Sequence, residues 1–136
     1  MRDPLVNRPG YSLRRASSAM TAELTQRLAE YDLRIVDATV LMWIDENPQV
    51  TASALGRALD IQRANMVPLL KRLEDSGLVE RSPIDGKSQG LSLTGPGKDR
   101  VKAVRDTVDR FEQELLARIP LQHREHFIPA LDALWR

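Results

Sequence analysis

Apolar and polar positions alternate most regularly between Thr51 and Leu93. Ala54, Leu55, Ala58 and Leu59 recur at helical spacing. Thr51 or Ser53 offers a side-chain oxygen to cap the first turn. Asp60, Ile61 and Gln62 make a corner. A second helix is predicted from Arg63 to Asp75, ending at Ser76-Gly77 with glycine just past the last turn. Its apolar row is Met66, Leu69, Leu70 and Leu73. Two short helices joined by so tight a turn form a helix-turn-helix. Leu78–Arg81 and Leu91–Leu93 then read as short strands. Between them Pro83–Gly90 is a polar loop, with Asp85-Gly86 as its turn signal.

The other side of the second helix carries Ala64, Pro68, Lys71 and Asp75, flanked by Arg63, Asn65, Val67 and Arg72. Small and hydrogen-bonding side chains come first and cations later. A helix entering a major groove needs that order, with base edges at its first turns and phosphates beyond. Arg63 suits guanine and Asn65 adenine, each through two hydrogen bonds. Ala64 and Pro68 suit thymine methyls. The same face also reads as the solvated side of an ordinary core helix. Pro68 removes one backbone hydrogen bond and bends the axis; the bend suits either a groove or internal packing.

Three stretches carry a family resemblance: LGRAL at 55–59, LLKRLEDSGLVER at 69–81, and LSLTGPG at 91–97. In them the chain resembles the DNA-binding core of the MarR family of bacterial transcription regulators. The resemblance implies a mainly α fold with a small β-hairpin, that is, a winged helix-turn-helix core with dimerisation helices at both ends. Arg63, Ala64, Asn65 and Val67 would then read bases, with Pro68 against them. Gln62, Lys71, Arg72, Arg81 and Lys87 would hold phosphates or the minor groove. Thr51 and Ser53 would add backbone contacts at a helix N-terminus. The family's wing commonly carries Asp-x-Arg, whereas this chain has Asp85-Gly86-Lys87. Lysine keeps the charge without arginine's planar fork, so a phosphate contact is expected more than a minor-groove one.

The flanks are helical by pattern. Met1–Gly10, with two prolines, is predicted to be an extended arm. Leu13, Ala16, Met20, Leu24, Leu28 and Tyr31 define a stripe over 12–31, broken at Asp32–Ile35. Val36–Glu46 is apolar over much of its surface and ends at Asn47-Pro48. Within it Trp43 fits core packing best, and lining a ligand cavity second. Thr94 caps a further helix with Pro96 in its first turn. Its stripe runs through Val101, Val104, Val108, Phe111 and Leu115 to Ile119. Pro120 stops it, and a last helix from Gln122 to Trp135 carries Pro129.

These outer stripes need a cover, either each other or a second copy of the chain. The resemblance implies the second copy. It divides a single MarR-like domain, 1–136, into dimerisation helices at 12–35 and 95–136 and a DNA-binding core at 36–94. A two-fold pair sets two reading helices about 10 base pairs apart, matching a pseudo-palindromic operator. The family also responds to small aromatic or anionic effectors in a cleft between the dimer helices and the core, with Met42 and Trp43 as candidate lining here. The implied function is a homodimeric repressor whose hold on double-stranded DNA is modulated by such a ligand.

Composition refines this picture. The 136 residues carry a net charge of only +1, so DNA binding has to rest on local placement of cations. Few aromatics argue against a stacking platform for single strands. Without cysteine, disulfides and thiolate chemistry are excluded. No apolar run suits a membrane span or a signal peptide, which predicts a cytoplasmic protein with no membrane partner. No nucleophile–base set or glycine-rich phosphate loop points to an enzyme, and no cofactor is implied. Two alternatives stay open. His123 and His126, with Glu125 nearby, would suit a metal-responsive regulator. The weak charge and the missing wing arginine would suit a winged-helix module that binds protein.

Overall fold

Helix α1, Pro9–Leu28, starts earlier than its apolar stripe suggests. Proline's fixed φ suits the first helical position, where its missing N–H costs nothing, so the predicted arm is shorter than expected. In this computed structural model, which describes residues 1–136, the arm folds back. The Asp3 carboxylate accepts the Leu5 amide at 2.9 Å and the Tyr11 hydroxyl at 3.0 Å. The chain tightens to a 3-10 turn at Ala29–Tyr31 and breaks at Asp32, whose φ is 55°.

The next two helices start at side-chain caps. Helix α2, Ile35–Glu46, opens with Asp37 accepting the Arg34 amide at 2.8 Å. Helix α3, Ala52–Ala58, opens with the Thr51 hydroxyl oxygen accepting the Ala54 amide at 3.1 Å. Helix α4 spans Arg63–Asp75 and ends before Gly77, whose φ is 74°. Strands β1, Val79–Pro83, and β2, Gln89–Leu93, pair antiparallel from Val79↔Leu93 to Pro83↔Gln89. The periodicity did not reveal one further pairing, Val50↔Leu91, which adds the α2–α3 link to the edge of β2.

Helix α5, Gly95–Arg118, opens with Thr94 Oγ1 accepting the Gly97 amide at 3.0 Å. Gly97 is required there, since a Cβ would lie 2.0 Å from the Leu78 carbonyl oxygen. Helix α6, Leu121–Asp132, contains Pro129 and begins one residue before its expected start. Arg124 holds it to the end of α5 by donating to the Ala117 and Ile119 carbonyls at 3.0 and 2.8 Å.

One hydrophobic cluster unites the molecule. Leu24 and Leu28 of α1, Val40, Leu41 and Ile44 of α2, and Val101, Val104 and Phe111 of α5 join it from outside the helix-turn-helix. Leu55, the α4 row and the inward strand residues Val79, Leu91 and Leu93 complete it, together with Leu33, Ala38 and Leu78. Truncating a leucine in such a core costs about 2–5 kcal/mol. Trp43 is not in this cluster. It is 39% exposed, so its expected role as core filler is overturned, while Met42 packs against the cluster's edge. The apolar rows at the ends lie open: Leu13, Leu116, Leu121, Ile128, Leu134 and Trp135 are all exposed, and α6 buries no residue. No helix is long and apolar enough to cross a membrane.

Polar contacts join α1 to α5. Glu23 accepts both guanidinium nitrogens of Arg118, at 2.7 and 2.8 Å, and one of Arg27 at 3.0 Å. Arg27 also pairs with Glu114 and lies over the Phe111 ring at 5.3 Å. The hydrogen bonds from Arg118, helped by Arg27, hold the Glu23 carboxyl down to about 2.

Candidate nucleic-acid interface

The surface of α4 follows from its apolar row. With Met66, Leu69, Leu70 and Leu73 buried, helical geometry turns Arg63, Ala64, Asn65, Val67, Pro68 and Lys71 outward, and all six are exposed. Val67, a branched apolar side chain, is 56% exposed on that face. Gln62 precedes the helix in extended backbone, and its carbonyl accepts the Asn65 and Met66 amides at 2.9 Å each. Pro68 remains inside a continuous helix.

The cations expected to meet DNA, Arg63 at a base and the others at phosphate or the minor groove, fall into three groups. Arg63 and Lys87 are exposed and pair with no carboxylate. Lys71 pairs only with Asp75, at 3.0 Å and largely exposed, a contact worth little and readily exchanged for phosphate. Arg72 and Arg81 have internal partners. Arg72 pairs with the buried carboxylate of Asp37, which Arg34 also approaches at 3.3 Å. Arg81 donates to both oxygens of Glu74, at 2.7 and 3.3 Å, and so ties β1 to α4.

Three other expected contacts also have local duties. The Thr51 hydroxyl oxygen caps α3, and Ser53 Oγ accepts Arg57 at 2.8 Å. Asp85 shapes the wing tip, its carboxylate accepting the Lys87 and Ser88 amides at 2.8 Å each. Those two bonds, the Lys87 amide first, lower its pKa. The turn leaves Lys87 and Ile84 exposed at the tip, Ile84 by 49%.

Sequence reasoning missed Arg57. With Arg63, Arg81 and Val67 it lines a groove of about 630 Å³ between α3 and α4, on the same side as the outward face of α4. Its signal was available: a cation four residues after Ser53, off the Leu55–Leu59 row.

A larger cleft, about 850 Å³, lies behind the helix-turn-helix, where α1, α2, α4 and α5 meet. Tyr31, Arg34, Asp37, Arg72 and Arg100 supply its polar wall, and Leu33, Leu73 and Leu78 its apolar one. Met42 and Trp43, the expected lining residues, are not among those that form it. His123 and His126 are exposed on α6, and the molecule gathers no group of three metal-ligating side chains.

The winged geometry has close counterparts. A family model described as MarR family matches residues 31–88. The putative transcriptional regulatory protein for the hcr operon of Thauera aromatica is 33% identical over 99 residues, which are 71% of this chain and 60% of that protein's length. The transcriptional repressor CouR, solved bound to a 23-mer DNA duplex, is 27% identical with a TM-score of 0.90, covering 100% of this chain and 99% of that one. The MarR family protein Rv2887 of Mycobacterium tuberculosis, solved with salicylic acid, is 25% identical with a TM-score of 0.72, covering 93% of this chain and 95% of that one.

Proposed function

Because the chain belongs to the MarR family, we propose that it is a cytoplasmic transcriptional repressor. It binds double-stranded DNA by sequence as a homodimer and releases it when a small ligand binds. The observation that carries the reading is the outward face of α4. Arg63, Ala64, Asn65 and Val67 stand exposed on its first turns, with unpaired Lys87 on the wing beside it. Arg63 and Asn65 read base edges, and Ala64, Val67 and Pro68 meet thymine methyls. Lys87, Lys71 and Arg57 hold phosphates. Arg72 and Arg81, paired inside the protein, set the reading helix and wing rather than gripping the backbone.

Dimerisation places α1, α5 and α6 at the two-fold axis, around the core at 36–94. The exposed apolar rows of α6 and of the free ends of α1 and α5 support it, because they lack a cover within one chain. The effector is a small aromatic acid held in the cleft beside Tyr31. The cleft has the volume of a small-molecule site, a phenol ring, and guanidiniums able to meet a carboxylate. Rv2887 has been solved with an acid of that class.

The test is duplex binding as a function of salt. Affinity for random DNA should fall steeply as salt rises. Arg63→Ala should flatten the preference for a duplex selected by the wild-type protein over random DNA, while Lys87→Ala weakens both alike. Salt-independent binding, or equal loss on both duplexes for both variants, would overturn the reading.

A further inference from the structure

The link between α2 and α3 grips the wing through one side chain. Gln49 sits in the left-handed region, with φ 69°. Its amide donates to the Leu91 carbonyl at 2.9 Å, and Leu91 returns a bond to Val50 at 2.8 Å. Gln49 Nε2 then donates to Ser92 Oγ at 3.0 Å, while its Oε1 accepts the Ser82 hydroxyl at 3.1 Å. A single carboxamide thus bridges both strands of the hairpin.

The strand register explains how it fits. Ser82 pairs with Gly90, and Ser92 lies two residues beyond Gly90 on the same face. A Cβ at Gly90 would lie 2.5 Å from Gln49 Oε1 and 2.8 Å from its Cα. Gly90 is therefore the space that Gln49 occupies. Arg81, on the opposite face of the hairpin, is held by Glu74 of α4. The wing is fixed on one face to the reading helix and on the other to the α2–α3 link.

We infer that Gln49 is a positioning residue for DNA binding: acting through Ser82 and Ser92, it sets the angle of the wing and so where Lys87 meets the duplex. The inference rests on the DNA-binding reading above. Without this bridge the hairpin keeps its own ladder but can swing about its base. Lys87 then loses its fixed relation to α4, while Arg63 and Asn65 keep theirs.

The experiment measures affinity for a duplex that the wild-type protein selects from random DNA, with Gln49→Leu, Lys87→Ala and the double variant. Leucine keeps the bulk and removes both side-chain hydrogen bonds. Gln49→Leu should weaken binding about as much as Lys87→Ala, roughly tenfold to a hundredfold for one charged contact. It should also reduce the dependence on salt by about one phosphate contact. In the double variant Lys87→Ala should add little further loss. If Gln49→Leu does not fold, Ser82→Ala with Ser92→Ala removes the same two bonds and leaves the backbone pairing of Gln49 and Val50. Wild-type affinity for the Gln49 or serine variants, or independent losses that simply add, would overturn the inference while Arg63→Ala still upheld the DNA-binding reading. A wild-type protein that selects no duplex would overturn both.

Discussion

Arg72 of α4 and Asp37 of α2 form an ion pair that joins the reading helix to the helix behind it. Asp37 is 3% exposed at its side chain, and Arg34 and the Arg34 amide share it. The pair also stands in the wall of the large cleft, so the aromatic acid proposed above, competing for Arg72, would act directly on the mounting of α4.

Arg72→Ala should therefore behave as a structural variant. It leaves a buried carboxylate with only Arg34 to answer it, at a cost of about 1–3 kcal/mol. Urea unfolding should register that loss, while the salt dependence of DNA binding stays at the wild-type slope. A reduced slope with unchanged stability would return Arg72 to the phosphate contacts.

Acid should loosen the joint between α1 and α5. The folded chain holds the Glu23 carboxyl at about 2, below its ordinary value of 4.5. As pH falls the unfolded chain takes up that proton first, so protonation favours unfolding. The stabilisation is complete above about pH 4.5 and is lost as pH falls through about 2. Thermal unfolding between pH 6 and pH 2 should show the decline. Glu23→Gln should start lower at neutral pH and decline less over that range.

Pro68 is exposed in the middle of α4, where it gives up a backbone bond and buries nothing. Pro68→Ala should stabilise the fold by about 1–3 kcal/mol, read as a higher urea midpoint. If the proline is kept for the groove, the same variant should bind its selected duplex more weakly. A variant both more stable and tighter-binding would show that the proline serves neither the groove nor packing.

The reading helix was legible in the sequence because its signals are local. The Met66–Leu73 row and Gly77 bracket α4 at Arg63–Asp75, and Thr51 and Thr94 act as the caps their types suggest. Pro9 was also a local signal, a proline at a helix start, but the apolar stripe drew the boundary inward. The partners of the cations were not legible. Arg72 meets Asp37 across 35 positions, and no spacing rule connects them. Gln49 and Ser92 lie 43 apart and meet only because Gly90 leaves room. Trp43 misled because a helix apolar on several sides need not be covered on all of them. Trp43 itself is 39% exposed, while Val40, Leu41 and Ile44 of the same helix are buried.

Helix α6 buries none of its side chains within one chain. If a second copy covers it, as proposed above, the protein measures its own abundance. Below the pairing threshold, promoter occupancy rises with the square of protein level, and each subunit also borrows stability from its twin. Small changes in expression are then amplified at the gene, before any effector enters the cleft.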